Sequence, residues 1–485
     1  MLAPPQPVEH RERTKLFDQK KLAVTGETIA EAKLKRANTP GGASMCAAAT
    51  GEGREVDCSG ARMDGQRAKK IIVPAKTKKL SYENNHLDSL HPQWFEGLPE
   101  LKALNIKNNF IQKLNPHLFK NNRNLEEIDL SQNQILKLDK SAVFKKNRNV
   151  KTLKLNNNRI VEMKMKILTA LPNLEHFEIQ HNRLNRINGK MLKVATELKH
   201  FDASFNNIAS ISTQAFRSSK KDETVNLQNN LISQLNKQVF SGLVGCKFLN
   251  LSYNKIANLH KDTFRPMVSL IKLDLSHNKI SDIANGQFKK LPSLKDINLS
   301  DNQITYLPPS TFDGSSALEF VYLKHNLIKS FEPELFKNAI NLKIFMADSN
   351  EINEFDGSIL DGKTNLKTVS LSKNDLTHVN NLFDNQATGL QNVYLQENQI
   401  DSIDDSFLVA QNGVKNIEVQ DNMLSEDELD FVQTVIDRDD LENIDLNNNN
   451  FADPAFDRRW ARGDFGRLQN YITNYEAAVA AENTL

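Results

Sequence analysis

Cysteine is scarce, at three among 485 residues, and that excludes a scaffold built on disulfides. Cys46 and Cys58 could pair with each other. Cys246 stands where leucine stands elsewhere in the chain, so it reads as a small buried apolar residue. Long apolar runs are missing, and no stretch approaches the roughly 20 residues of a membrane span. The start of the chain lacks the apolar segment of a signal peptide. Catalytic signatures are missing as well: there is no His-Glu-x-x-His, Gly-x-Ser-x-Gly, phosphate-binding glycine loop or Cys-x-x-Cys. Neither enzymatic activity nor a cofactor is expected, and no nucleic-acid partner. Net charge is small, +2, but unevenly spread. From Gln396 to the C-terminus 6 Lys and Arg face 20 Asp and Glu, a net of −14 that leaves +16 for the rest. Between Glu100 and Ala170 the balance is 15 basic to 6 acidic residues. Such a gradient favours steering of a charged partner, a dimer, or head-to-tail contact between copies; a solvated surface without a partner explains it equally well.

What the chain does have is a repeat. Leu249-Asn-Leu-Ser-Tyr-Asn254 recurs 24 residues on as Leu273-Asp-Leu-Ser-His-Asn278, and again as Ile297-Asn-Leu-Ser-Asp-Asn302. The asparagines keep the register at 85, 109, 133, 158, 182, 206, 230, 254, 278, 302, 326, 350, 374, 398, 422 and 449. Thirteen of the 15 intervals are 24 residues, one is 25 and the last is 27. Counted from each Asn, apolar residues fall at −8, −5, −3, +2 and +5, as Leu270, Leu273, Leu275, Ile280 and Ile283 do around Asn278. The alternation at −5 and −3 predicts a short strand. A phenylalanine follows further on, at 264, 288, 312 and 336, in loops or short helical turns on the outer side. One unit cannot bury its apolar side alone, so the units must stack, with parallel strands about 4.8 Å apart. The Asn amide is expected to turn inward and satisfy backbone groups that the bend leaves unpaired.

Along the chain, residues 1–45 read as a disordered basic tail with Pro4, Pro5 and Pro7 and a weak helical pattern over residues 16–37. Residues 46–79 read as an N-terminal cap, 80–456 as the solenoid, and 457–485 as a C-terminal capping helix. Ser425-Glu-Asp-Glu428 has the form of a capping box ahead of Leu429, Val432, Val435 and Ile436, predicting a helix in the 27-residue interval. Phe465, Leu468, Ile472, Tyr475 and Val479 recur at helical spacing, either to cover the end of the stack or to form a short coiled coil with a partner.

These repeats resemble the 24-residue extracellular class of leucine-rich repeat proteins, which includes Toll-type receptor ectodomains and the secreted leucine-rich immune proteins of insects. Val56-Asp-Cys58-Ser-Gly, with Cys46 before it and Ile71-Ile-Val-Pro74 after it, resembles the N-terminal cap of that class, in which a strand ending in Pro follows the cysteine strand. The resemblance implies an α/β solenoid, a leucine-rich repeat horseshoe of about 16 repeats with a parallel concave sheet. It further implies non-enzymatic recognition of a protein partner, outside the cell or at its surface, in immunity or adhesion. An intracellular adaptor or scaffold, in the cytoplasm, is the alternative.

Binding is then expected on the inner sheet face, at −6, −4 and −2. Phe320 and Tyr322 lie beside Ile344 and Met346 on the next strand, with Tyr394 two strands further on, and these large apolar groups form a candidate partner-binding patch. Alternatively they pack on one another or lie under a covering element. His176, Glu178, His200 and Asp202 share the same face and could hold a metal or make binding pH-dependent, or form an ordinary polar face. Asn250 and Asn298 are glycosylation candidates in Asn-Leu-Ser, a tripeptide that the repeat also generates by itself.

Overall fold

The computed structural model describes residues 46–49, 54–138, 143–163, 167–189, 192, 195–379, 387–404, 407–408 and 411–482. The basic tail and its helical pattern lie outside the described residues, as do the side chains of Tyr475 and Val479. Met45–Leu485 forms one compact unit.

Among the described residues nineteen strands make one continuous sheet. Sixteen of them, three residues each, run in parallel from Lys79–Ser81 to Asn443–Asp445, one for each repeat asparagine. The register is strict: Leu249 pairs with Leu273, Leu273 with Ile297 and Ile297 with Val321. The −5 residues therefore stack into a buried apolar row, while −6 and −4 face the other way.

The asparagine row closes each bend. At Asn278 the amide NH2 donates to the carbonyls of Leu275 (3.0 Å), Ser276 (3.1 Å) and Leu251 of the preceding repeat (3.0 Å). Its Oδ1 accepts from the Ile256 N–H at 3.0 Å. The residue just before each of the sixteen asparagines, from Asn84 (φ 57°) to Asn448 (φ 56°), is left-handed. Ten of those sixteen are Asn, Asp or His, the side chains that best tolerate this conformation, so backbone demand rather than a ligand shapes much of that row. Its cost is offset by the hydrogen bonds of the asparagine that follows.

Phenylalanines form a second spine. The Phe240–Phe264, Phe264–Phe288, Phe288–Phe312 and Phe312–Phe336 rings stack with centroids 5.6–6.0 Å apart. Each is almost wholly buried, worth about 1.5–3 kcal/mol relative to exposure.

Both ends are closed. At the start, Glu55–Asp57 continues the parallel ladder onto Lys79–Ser81, Ala47–Ala49 pairs antiparallel with Glu55–Asp57, and a disulfide joins Cys46 to Cys58. Residues 71–74, expected as a strand, are irregular, and Ile72 is exposed. The ladder position they would fill belongs to Lys79–Ser81, whose Leu80 aligns with Val56. At the other end the helix Leu429–Ile436 replaces the usual loop and buries Leu429, Phe431, Val432, Val435 and Ile436. Its capping box does not close on itself. Ser425 Oγ accepts from the Asp427 N–H, while the Glu428 carboxylate accepts from the Ile403 N–H in the preceding repeat at 2.9 Å. An antiparallel strand, Arg459–Ala461, then seats Trp460 against Ile444, and the helix Phe465–Glu482 follows with Phe465, Leu468 and Ile472 buried.

Candidate functional site

The open face of the sheet carries one residue per repeat at −6, −4 and −2. Position −4 has a structural task in most repeats. The Oδ1 atoms of Asp129, Asp202 and Asp274 accept from the N–H two residues on, at 2.8–3.0 Å. Asn250 and Asn298 do the same toward Ser252 and Ser300, at 2.9 and 3.1 Å. The Ser252 hydroxyl also donates to Asn250 Oδ1 at 2.7 Å. The Asn-Leu-Ser tripeptides are thus explained by this local turn, in which Asp and Asn interchange.

Several repeats replace that device, some with polar residues such as Lys154 and Glu178, but Tyr322, Met346 and Tyr394 replace it with large, mostly apolar side chains. The apolar residues are therefore a departure from the repeat's own chemistry. Phe320 pairs in register with Ile344, and Tyr322 with Met346. Phe320, Ile344 and Tyr394 are half-buried. Tyr322 and Met346, expected to be exposed, are only 7% and 5% accessible. Register partners on adjacent strands shield each other, so the accessible part of the patch is narrower than the sequence implies. Beside it lies a polar clamp: Asp348 accepts from the hydroxyls of Ser370 and Ser372 and pairs with Lys324 at 3.3 Å.

His176 and His200 are register partners with ring centroids 6.2 Å apart, and Glu178 pairs likewise with Asp202. Asp202 is already engaged by Ser204 and by Asn226. Among the described residues no group of three or more His, Cys, Asp and Glu side chains is arranged to hold a metal ion. The metal reading is corrected on that ground: side chains in line along parallel strands do not converge on a point. Burial, and then the neighbouring His200, holds the His176 pKa below the ordinary imidazole value.

Three features escaped the sequence reading. At −7, lysine and glutamate form an ion-pair ladder: Lys102–Glu126 (2.8 Å), Lys199–Glu175 (2.7 Å), Lys247–Glu223 (3.0 Å), and Glu319 between Lys295 (2.8 Å) and Lys343 (2.7 Å). Hydrogen bonds from Lys102 and Lys199 keep the Glu126 and Glu175 carboxyls below the usual range. The 24-residue alternation of Lys and Glu was the available signal. At −1, Tyr253 stacks on His277 at 3.9 Å, and Asp301 bridges His277 (3.4 Å) and His325 (3.1 Å). Finally, Asp222 occupies a −8 leucine position, fully buried, with no hydrogen bond to either carboxyl oxygen. Burial outweighs the opposing influence of the nearby Ser219 hydroxyl and pushes its pKa up to about 8. Above it in the stack, burial and then Asp222 push the Cys246 thiol up to about 12.

A family profile described as "Leucine rich repeat" matches residues 76–135, 148–208, 196–256, 223–280, 248–304, 269–328 and 292–339. A second, "BspA type Leucine rich repeat region (6 copies)", matches 330–457. No curated protein matches the chain. Among solved structures, an LRR protein of Leptospira interrogans superposes with a TM-score of 0.65 at 22% identity, over 79% of this chain and 92% of its own. Drosophila Toll, in its glycosylated complex with Spatzle, gives 0.58 at 18% identity over 77% of this chain and 48% of that one. The plant peptide hormone receptor RGFR1, in complex with RGF2, gives 0.58 at 20% identity over 78% and 64%. At such identities the likeness is one of fold.

Proposed function

Since the chain belongs to the leucine-rich repeat family, we propose that it is a recognition protein that binds a protein partner across the open face of its sheet, centred on Phe320, Ile344 and Tyr394. The observation that carries this reading is the set of Tyr322, Met346 and Tyr394 at −4. There the repeat gives up a turn-stabilising hydrogen bond, and the face becomes apolar instead. Aromatic anchors in a shielded setting are where binding energy concentrates. Toll and the plant receptor, both solved with bound ligands, lend support by fold alone.

The setting we propose is extracellular or at the cell surface, as a receptor-like or secreted protein of immunity or adhesion. The Cys46–Cys58 bond supports it, because such a bond persists in an oxidising compartment. An intracellular adaptor is the competing reading. Mass spectrometry of the protein from its source separates the two: an oxidised Cys46–Cys58 peptide in the secreted fraction supports the first, and free thiols in the cytosol overturn it.

The binding face is tested with the double substitution Phe320→Ser and Tyr394→Ser. Capture of a partner identified with the unaltered protein should fall at least about tenfold, as loss of two anchors predicts, while the thermal melt barely moves. Unaltered capture would reject this face.

A further inference from the structure

Two return loops of the solenoid carry five exposed cations: Lys120 and Arg123 on one, Lys145, Lys146 and Arg148 on the next. Lys120 and Lys145 stand 13 residues before Asn133 and Asn158, and Arg123 and Arg148 stand 10 before them, so the charges form two rows in consecutive repeats. None of the five makes an ion pair with a described residue. The loop before them carries carboxylates instead, Glu96 and Glu100.

The loops are locked together by paired side-chain amides, and a like pair, Asn122 and Asn124, ties the first of them to the loop before. Asn147 Nδ2 donates to the carbonyls of Phe119 (3.0 Å) and Asn122 (2.7 Å), and Asn149 Nδ2 donates to that of Arg123 (3.2 Å). Asn122 in turn donates to the Phe95 and Leu98 carbonyls, both at 2.8 Å. Phe119 and Phe144 stack beneath, ring centroids 6.0 Å apart. The cations are thus presented on a stiff platform, so a ligand would lose little free energy to ordering it.

We propose that this platform, apart from the partner face and independent of it, docks an extended sulfated polysaccharide. Charge complementarity argues for a linear polyanion. Among the described residues these loops expose a single ring, His117, whereas a strand of stacked bases needs several in succession, and Phe119 and Phe144 are buried. Among the described residues they expose no large apolar side chain for insertion into a bilayer either, since Leu118 and Val143 are buried as well. What remains is recognition by closely spaced positive charge alone, which sulfate groups along a stiff chain supply.

The test measures binding of a fluorescent heparin dodecasaccharide to the full chain at increasing salt. Lys120, Arg123, Lys145, Lys146 and Arg148 are changed together to Gln. A control changes the exposed Lys237, Lys255, Lys261, Lys279 and Lys367 to Gln, removing the same charge elsewhere. The first variant should lose at least about tenfold in affinity and show a shallower salt dependence, because fewer counterions are released, while the control binds as the parent does. Absence of binding by the parent, equal loss in both variants, or tighter binding of single-stranded DNA or of phosphatidylserine vesicles than of heparin would overturn the proposal. Circular dichroism confirms that each variant is folded.

Discussion

Replacing Asp222 by leucine should stabilise the protein, and by an amount that depends on pH. The carboxyl sits where fourteen of the other repeats place an apolar residue and makes no hydrogen bond through either oxygen. Burial holds its pKa at about 8, against an ordinary 3.8. In that interval the folded state keeps a proton that the unfolded state has released. Stability is therefore intact at low pH and falls as pH rises toward 8, by about 1.4 kcal/mol per pH unit. Between pH 5 and 7.5 the loss is about 3 kcal/mol, a figure that water entering the repeat would reduce. A leucine side chain there has no proton to lose and would restore the apolar row. Urea denaturation of the parent and of D222L at pH 5, 6, 7 and 7.5 gives the difference directly. The gap between the two should widen with pH. Parallel profiles would refute the argument and mean that the carboxyl reaches solvent or a partner.

Asn278→Leu should destabilise by a few kcal/mol, since three carbonyls and one N–H lose their partner; a change under about 0.5 kcal/mol would show that the ladder is ornamental. Gly242→Ala should cost about 2 kcal/mol or more, because its Cβ would lie 1.9 Å from the Phe216 carbonyl oxygen and the loop would have to move; a neutral melt would contradict this. In an NMR titration His176 should protonate below the ordinary imidazole midpoint, and His200→Gln should move it upward by removing a neighbouring positive charge.

The period, the strands and the asparagine row could be read directly from residues, because a 24-residue recurrence repeats one physical solution many times. Features that join one repeat to the next were harder to see. Glu428 has the spacing of a capping box, yet its carboxylate finds the Ile403 amide a full repeat away. Tyr322 and Met346 have the alternation of exposed residues, yet cross-strand neighbours cover them. His176, Glu178, His200 and Asp202 share a face, but a face is not a coordination geometry. Residues 71–74 have the composition of a strand, but their place in the ladder is taken by Lys79–Ser81. Asp222 was visible at −8 and needed only to be set beside Cys246, 24 residues on.

The central claim is that the apolar face meets the partner, and hydroxyl-radical footprinting of the complex tests it most directly. Phe320 and Tyr394 should lose labelling when the partner is bound, while Phe110, Tyr306 and Tyr471, exposed elsewhere on the molecule, keep theirs. Undiminished labelling of Phe320 and Tyr394 in the saturated complex would contradict the account.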